Sequence, residues 1–408
     1  MSIEIRAPEE ADVPAMFAAD ARGFGTYYDD EEIERRRPIM DLSRFRLALD
    51  GPAVVGVAGS FALDMTVPGG ATVPMGGVTW VSVAATHRRQ GILRRLLGAI
   101  HADIDDRGEP VAGLGASEGG IYGRFGYGVA TLMRRVAIDV RAVRLRDELV
   151  PKPGSVRFIE SDEARVHVPL VWERARRQRP GETARTETWW DMVFADQAKA
   201  QDGFSPVVRL RHDDGYASYR VRSEWNEGRP AHHVLLLELV AVTDDAHLAL
   251  WHTLLGIDLV ATITSRRAFT IDDPLIVAVD NPRAVSTEAV DDNVWLRPHQ
   301  PATLLGARTY ATEDRFVLEL LPDSTDPADA APTRWEVEGG PAGAVARRSR
   351  RRADLVLDRA AFGAMYLGGF RPSVLARAQR ITEATTGALR RADLFFEAER
   401  LPSTQNGF

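Results

Sequence analysis

Residues 80–97, WVSVAATHRRQGILRRLL, form the segment whose residue types and spacing are best suited to holding a ligand. An apolar strand pattern leads through a short polar loop, residues 88–91, directly into a helix pattern. The first turn of a helix has unpaired N–H groups and a positive dipole end, and Gly91 lets a ligand approach the backbone closely. The junction could therefore hold a pyrophosphate, although one glycine between a strand and a helix is also common in plain structural turns.

A second segment, SEGGIYGRFGY at residues 117–127, contains a candidate acid and a candidate nucleophile. The phenol of Tyr122, with an ordinary pKa of about 10, is a suitable acid for a thiolate leaving group of similar basicity. An aromatic turn in the core is the alternative. Ser117 stands in a glycine-x-serine-x-glycine pattern like the nucleophile elbow of an α/β-hydrolase, but the glycines that follow disfavour the helix which that elbow requires.

Composition excludes several other classes of function. The chain has 408 residues, a net charge of −7 and no cysteine, which removes disulfides, thiolate metal sites and a cysteine nucleophile. We expect no metal. The negative charge argues against nucleic acid as a partner. No apolar run is long enough to cross a membrane and the N-terminus lacks a signal pattern, so we expect a cytoplasmic protein without a membrane partner.

The elements that must position both segments alternate between strand and helix. Apolar residues in residues 92–104 lie on one face of a predicted helix, and five strand patterns surround it. This order predicts a mixed α/β domain. The predicted strands are residues 3–6, 45–49, 54–63, 78–84 and 111–114, and the predicted helices are residues 11–22, 30–40 and 92–104.

Later parts of the chain predict two further domains. A proline and glycine cluster at residues 151–154 predicts a boundary, and residues 235–242 and 246–255 then repeat the order of strand, loop and helix. The loop of this copy, residues 243–245, is acidic and lacks glycine, so the copy is expected to be inactive. The predicted domains are residues 1–154, 155–288 and 289–408. By composition alone, residues 401–408 are typical of a disordered tail.

The first segment resembles motif A of the GNAT superfamily, the Gcn5-related N-acetyltransferases, whose arginine/glutamine-x-x-glycine-x-glycine/alanine loop holds the pyrophosphate of coenzyme A. Arg88 and Gly91 match that motif, and Leu93 departs from it. Tyr122 also fits the superfamily's tyrosine-x-x-x-glycine-aromatic arrangement. With DGYASYR at residues 214–220 and YLGG at residues 366–369, the chain resembles the Eis, or enhanced intracellular survival, family over nearly its whole length.

This resemblance implies the fold class and the activity. The fold would be α/β (α+β), with two tandem GNAT-like domains, the second degenerate, followed by a sterol-carrier-like α+β domain. The family implies a homo-hexamer that moves the acetyl group of acetyl-CoA to amines of aminoglycosides, which are small molecules. Lysine side chains stay open as acceptors, and a hydrolase using Ser117 or a carrier of apolar ligands are the alternatives from other classes. Intact Gly91, Tyr122 and Phe408 argue against a carrier.

The resemblance also implies residue roles. Tyr122 would be the general acid, and the α-carboxylate of the last residue, Phe408, would be the general base. Substrate contacts would come from Phe24, Tyr28 and Asp29, the last in an acidic run at residues 29–34, although such a run is also typical of a solvated helix start. The residues implied for coenzyme A are Val81, Ser82, Val83, Arg88, Arg89, Gln90, Gly91, Ile92, Leu93, Arg94, Ser117 and Glu118.

Overall fold

The protein is described by a computed structural model that covers residues 3–197, 201–323 and 330–408. The described residues divide into two units. One contains the chain up to residue 130, residues 294–399 and residues 407–408, and the other contains residues 131–293 and 400–406. Among the described helices, none combines the length and apolar character that crossing a lipid bilayer requires.

The first sheet contains the chemically suggestive segments. Its seven strands follow the order β1-β2-β3-β4-β5, then a strand from later in the chain, Val294–Pro298, and then β6. Neighbouring strands are antiparallel except for β4 and β5, which are parallel. The elements are β1 (Glu4–Arg6), α1 (Val13–Phe24), α2 (Asp30–Arg36), β2 (Phe45–Asp50), β3 (Ala53–Thr66), β4 (Thr72–Val83), α3 (Ile92–Asp106), β5 (Val111–Gly115), α4 (Gly119–Tyr122) and β6 (Gly128–Val129).

Helix α3 packs through the apolar stripe that its sequence predicts. Leu96, Leu97, Ile100 and Ile104 are fully buried. Helix α2 is shorter than the helix predicted for residues 30–40, because Pro38 lacks an N–H donor and its ring clashes with the preceding turn.

The second unit repeats the arrangement of the first sheet. Its sheet has the order β15-β7-β14-β13-β10-β9-β8, and only β13 and β14 are parallel. Strand β7, Leu132–Asp139, already belongs to this sheet. The chain therefore passes from the first sheet to the second before Gly154, where the proline and glycine cluster predicts the boundary. The elements are β7 (Leu132–Asp139), β8 (Arg157–Phe158), α5 (Ser161–Arg176), α6 (Glu187–Phe194), β9 (Val208–His212), β10 (Gly215–Arg222), β11 (Trp225–Asn226), β12 (Arg229–Pro230), β13 (His232–Ala241), α7 (Asp244–Leu255), β14 (Val260–Phe269), α8 (Leu275–Ala278) and β15 (Val285–Asp292).

The last part of the chain forms a third sheet, with the order β19-β18-β17-β20-β21, covered by short helices. The segment 294–298, predicted to open the third module, instead lies in the first sheet between β5 and β6, where it completes the hydrogen bonding of both strands. The elements are β16 (Val294–Pro298), α9 (Pro301–Ala307), β17 (Asp314–Leu320), β18 (Thr333–Gly340), β19 (Gly343–Arg348), β20 (Leu355–Leu357), α10 (Arg359–Tyr366), α11 (Pro372–Arg377), β21 (Ile381–Glu383) and α12 (Ala388–Phe395).

Candidate functional site

Strands β4 and β5 separate part of the way along their length. They pair in parallel over three positions, of which the last joins Gly77 to Gly113. Beyond Gly77, β4 continues to Val83 without a partner on that side. The unpaired main-chain groups of β4 border an opening in the sheet, and a ligand with amide groups could bind along this edge as a further strand would.

A β-bulge lies in the unpaired part of β4. Trp80 and Val81 together lie opposite the single residue Ala58 of β3, and Trp80 has a φ of 54°. This left-handed conformation is costly for a bulky side chain, so the surrounding packing must hold it. A bulge bends the strand that contains it, which accounts for the divergence of β4 from β5.

The groups of β4 that face the opening follow from the ladder with β3. The N–H of Ala84 donates to Val55 O at 2.8 Å, so the main-chain groups of Ala84 point toward β3. Because these groups alternate in direction along a strand, those of Val83 and Val81 point into the opening. Ser82 faces helix α1 instead, and its hydroxyl donates to Ala19 O at 3.2 Å.

The N-terminus of α3 provides a second set of main-chain donors. Gly91 is its N-cap, with a φ of 75°, and no atom lies within 4 Å of where a Cβ would be. Arg89 also has a positive φ, 63°. Arg95 N–H makes the first bond of the helix, to Gly91 O, which leaves the N–H groups of residues 92–94 without helical acceptors. This loop and helix end can hold an anion.

Side chains of this loop differ in exposure. Ile92 is buried in the core and Leu93 is half-buried, so these two contribute main chain rather than side chain to any phosphate site. The remaining predicted coenzyme A residues of this loop and helix are exposed and could add charge or hydrogen bonds. They are Arg88, Arg89, Gln90, Gly91 and Arg94.

Tyr122 lies at the end of α4 in the core next to α3. Burial, with a smaller effect from the charge of Glu118, raises the pKa of its phenol, so it stays protonated throughout the neutral range. Its hydroxyl makes no hydrogen bond to any described residue, whereas Tyr127, whose ring meets it edge to face at 6.0 Å, is hydrogen-bonded to His101 Nε2 at 2.9 Å. Of these two tyrosines, Tyr122 has the hydroxyl that is free for a ligand.

The hydrolase arrangement is not assembled around Ser117. Ser117 and Glu118 are exposed after β5, and the helix that follows, α4, is a single turn beginning at Gly119. Ser117 makes no hydrogen bond to a histidine in the part of the chain that the structure describes. Two elements of a nucleophile elbow, the strong helix and the base, are thus missing there.

The C-terminal residue lies at the point where β4 and β5 separate. Phe408 Cδ2 is 3.0 Å, and Leu63 Cδ1 2.6 Å, from where a Cβ on residue 77 would be. Gly77 therefore leaves room for both side chains. The residues before Phe408 are not frayed as composition alone indicates, because Ser403, Thr404 and Asn406 are buried.

An acidic group among aromatic rings was missed by the sequence analysis. Asp20 is only 2% exposed, and burial raises the pKa of its carboxyl to about 6. Tyr28 OH donates to its Oδ2 at 2.7 Å, and its Oδ1 has no partner among the described residues. The Tyr28 ring stacks on Trp80 at 6.1 Å, and Phe17 meets Trp80 edge to face at 4.7 Å. The sequence does contain a signal for this group, because Asp20 stands among the apolar residues that form the buried face of helix α1.

A row of apolar side chains on one face of the sheet connects this group with the C-terminus. Phe45 lies 5.9 Å from the Trp80 ring and 6.3 Å from the Phe61 ring. Phe61 and Leu63 are two residues apart on β3, so their side chains point to the same face of the sheet. Leu63 and Phe408 both lie beside Gly77. The structure therefore brings the predicted residues Tyr28 and Phe408 to the same face of the sheet.

The other two predicted substrate residues have different surroundings. Phe24 is 48% exposed at the end of α1. Asp29 is the N-cap of α2, and its Oδ1 accepts the Glu32 N–H at 2.9 Å, so it has a structural role. Glu32 forms an ion pair with Arg36 at 3.1 Å, which neutralises part of the acidic run. In the described residues no group of three or more histidine, aspartate or glutamate side chains could hold a metal ion.

Family models identify three domains in the chain. Two models, each described as an acetyltransferase (GNAT) domain, match residues 4–130 and 181–298. A model described as a sterol carrier protein domain matches residues 301–404. These matches confirm the predicted fold class, in which two GNAT-like domains are followed by a sterol-carrier-like domain.

Whole proteins are similar over the full length. The N-acetyltransferase Eis of Mycobacterium tuberculosis is 35% identical over 408 residues, with 98% of each chain covered. An N-acetyltransferase of Streptomyces avermitilis is 35% identical over 417 residues, with 100% of each covered. The crystal structure of Eis1 from Mycobacterium abscessus has a TM-score of 0.88 and 31% identity, again with 100% of each chain covered.

Proposed function

The chain belongs to the Eis family of N-acetyltransferases, and on that premise we propose that it acetylates amines of small polyamines such as aminoglycosides, using acetyl-CoA. The observation that carries the proposal is the packing of Phe408 on Gly77, at the point where β4 and β5 separate. This packing places the end of the chain where the parallel pair of the first sheet opens, next to the unpaired edge of β4.

The residues of the first sheet fit acetyl-CoA as co-substrate. GNAT acetyltransferases use acetyl-CoA, which supplies an activated acetyl thioester. Val81 and Val83 offer main-chain amide groups to its extended arm, and the N–H groups after Gly91 offer donors to its pyrophosphate. Exposed arginines at positions 88, 89 and 94 would add positive charge, and Ser117 and Glu118 would border the arm at the end of β5.

The chemistry is a direct transfer in which the amine nitrogen bonds to the acetyl carbon and the carbon–sulfur bond breaks. The Phe408 α-carboxylate takes a proton from the amine, a main-chain N–H near Val83 donates to the acetyl oxygen, and Tyr122 gives a proton to the sulfur. An α-carboxylate with an ordinary pKa of about 3.5 is a weak base, so the apolar surroundings of Phe408 must raise its basicity or the amine must lose its proton on binding.

The acceptor would approach from the face of the sheet that Tyr28 and Phe408 share. Asp20, with its buried oxygen and three neighbouring aromatic rings, favours a cationic acceptor on this face. Phe24 and Asp29 stay predicted contacts. The hexameric assembly, the cytoplasmic location and the absence of metal, membrane and nucleic-acid partners also stay predictions.

The test measures thiol release from acetyl-CoA with aminoglycosides and lysine peptides, using the native chain, a chain extended by one glycine after Phe408, and Phe408→Leu. Extension moves the carboxylate, whereas leucine keeps it in place on an apolar residue. Amine-dependent release that collapses on extension but persists in Phe408→Leu would support both the transferase and the terminal base. Equal activity in all three chains would remove Phe408 from the mechanism, and release only with lysine peptides would replace the proposed acceptor.

A further inference from the structure

The second unit contains an opening like that of the first sheet. Its parallel strands β13 and β14 pair only as far as Leu236 and Ser265, although β13 continues to Ala241. The ladder between β13 and β10 also has an irregularity at this point, between Ser218 and Tyr219. A bulge on one side and a diverging parallel neighbour on the other are the features that produce the opening beside β4.

The helix beyond this second opening is not suited to phosphate. Thr243 caps α7 through its own side chain, which accepts the Ala246 N–H at 3.2 Å, and Asp244 and Asp245 occupy the first turn. The helix end therefore already has an acceptor and two negative charges, which complement its dipole and repel an anion. The predicted loss of phosphate binding in the second copy has a specific physical cause.

The opening beside β13 is occupied by the chain's own C-terminal segment. The Leu239 N–H donates to Gln405 Oε1 at 3.3 Å, and Gln405 Nε2 donates to Leu239 O at 3.0 Å. The N–H and C=O of one strand residue point the same way, so both groups of Leu239 point away from β10 and toward the side of β14. The Gln405 amide therefore takes the position that a further strand or an amide-containing ligand would take.

Other residues of the second unit hold the same segment. Glu182, itself buried, accepts Thr404 Oγ1 at 2.5 Å and the Gln405 N–H at 2.9 Å. Asn406 Nδ2 donates to Thr183 Oγ1 at 2.8 Å. Each of these tail residues is bound through its side chain as well as by packing, in a buried setting where an unmatched polar group is costly.

We propose that the second GNAT-like domain is a clamp for residues 401–406, in which Gln405 occupies the degenerate coenzyme cleft and, with Glu182, acts as a positioning residue for Phe408. Only Gly407 separates the clamped Asn406 from Phe408 along the chain. The positioning role rests on the proposed function of Phe408 as base, whereas the clamp itself does not. This proposal explains both features of the second domain. The C-terminal tail binds the unpaired edge of β13, so the opening is retained, and the tail needs no anion site, so the phosphate loop is not.

The test compares Gln405→Ala with Ser403→Ala. Gln405 loses two hydrogen bonds to Leu239, whereas the Ser403 hydroxyl is buried without a hydrogen-bond partner among the described residues, so its loss should cost little. Two readouts are needed: the rate at which a carboxypeptidase releases Phe408 from the native-state protein, and kcat together with the acetyl-CoA dissociation constant.

Gln405→Ala should speed the release of Phe408 by roughly tenfold and lower kcat by a similar factor, with acetyl-CoA binding unchanged, because two bonds that hold the tail closed are lost. Ser403→Ala should match the native chain in both. Unchanged release in Gln405→Ala would overturn the clamp, and faster release with unchanged kcat would overturn its positioning role. If the native chain acetylates no amine, the proposed function fails while the release assay still decides the clamp.

Glu182→Gln provides a second variant on the clamp's other side. It should also speed release. The effect of combining it with Gln405→Ala should be smaller than the product of the two single effects, because the Gln405 N–H donates to Glu182 and loss of one contact loosens the other. A fully multiplicative effect would contradict cooperation between the two contacts in one clamp.

Discussion

The ring of Phe408, the last residue, lies against the backbone of Gly77, the last residue of β4 that pairs with β5. Any side chain at position 77 would begin 2.6 Å from Leu63 Cδ1, closer than such atoms approach, and 3.0 Å from Phe408 Cδ2, which is tighter than most such contacts. The glycine is therefore favoured by the close approach of the Leu63 and Phe408 side chains together, and not by its own backbone conformation.

Gly77→Ala should displace the Phe408 ring and lower kcat for amine acetylation by at least about tenfold, with a loss of about 1–3 kcal/mol in the free energy of unfolding from overpacking. Acetyl-CoA affinity should change little, because the phosphate donors at α3 are untouched. Steady-state kinetics, calorimetric binding of acetyl-CoA and urea unfolding measure the three quantities. Gly98→Ala is the control: it lies inside α3 with no atom within 4 Å of a new Cβ, and should raise stability by about 0.5–1 kcal/mol with native turnover.

Gly91→Ala should weaken acetyl-CoA binding at least about fivefold, because alanine strains the left-handed backbone and its Cβ obstructs the approach of phosphate. Gly108 gives a matched comparison, since it also has a positive φ, 72°, and open surroundings, but lies at the other end of α3. Both alanine variants should lose about 1 kcal/mol of stability. Equal acetyl-CoA dissociation constants in the two would contradict a phosphate site at Gly91.

Tyr122→Phe should lower kcat by about 10²-fold, the lower end of what general acid catalysis contributes, with stability and acetyl-CoA binding nearly unchanged. Its hydroxyl makes no hydrogen bond to a described residue, so its removal leaves no protein group unpaired. Tyr127→Phe should do the opposite: it removes the partner of buried His101 Nε2 and should cost about 1–3 kcal/mol in unfolding free energy. Native turnover in Tyr122→Phe would exclude it as the acid.

Asp20 should make the protein less stable as pH rises. Burial raises the pKa of its carboxyl from 3.8 to about 6, so between those pH values the folded state holds a proton that the unfolded state has lost. The resulting stabilisation is fully present below pH 4 and is lost as pH rises through 6, an effect on the order of 2 kcal/mol. Urea unfolding from pH 4.5 to 7.5 should show a smaller decrease in Asp20→Asn than in the native chain.

Tyr28→Phe should shift the same loss of stability to higher pH. The Tyr28 hydroxyl donates to Asp20 and holds the pKa of that carboxyl below the value that burial alone would produce. Without this donor the Asp20 pKa rises further, so the decrease in unfolding free energy should extend above pH 6. An unshifted profile would show that another group dominates the pH dependence in this range.

The order of the elements and the helix N-terminus at Gly91 were predictable because their signals are local. Strand β4, the loop with Gly91 and the apolar stripe of α3 follow one another along the chain, so periodicity and one glycine suffice to predict where this helix begins. The repeat of this order at β13 and α7 was predictable for the same reason. The motifs also carried the family assignment, which the comparisons confirmed.

The sequence by itself therefore determined the three-domain order, the family and the position of the loop that begins at Arg88. Tertiary structure alone decided that Phe408 packs on Gly77, that Asp20 is buried beside Tyr28 and Trp80, and that Glu182 and Leu239 hold a tail whose composition is typical of disorder. Apart from the Asp20–Tyr28 hydrogen bond, which spans eight residues, these contacts join segments far apart in the chain. Their formation depends on burial and on matched polar partners, which periodicity and composition along one segment do not contain.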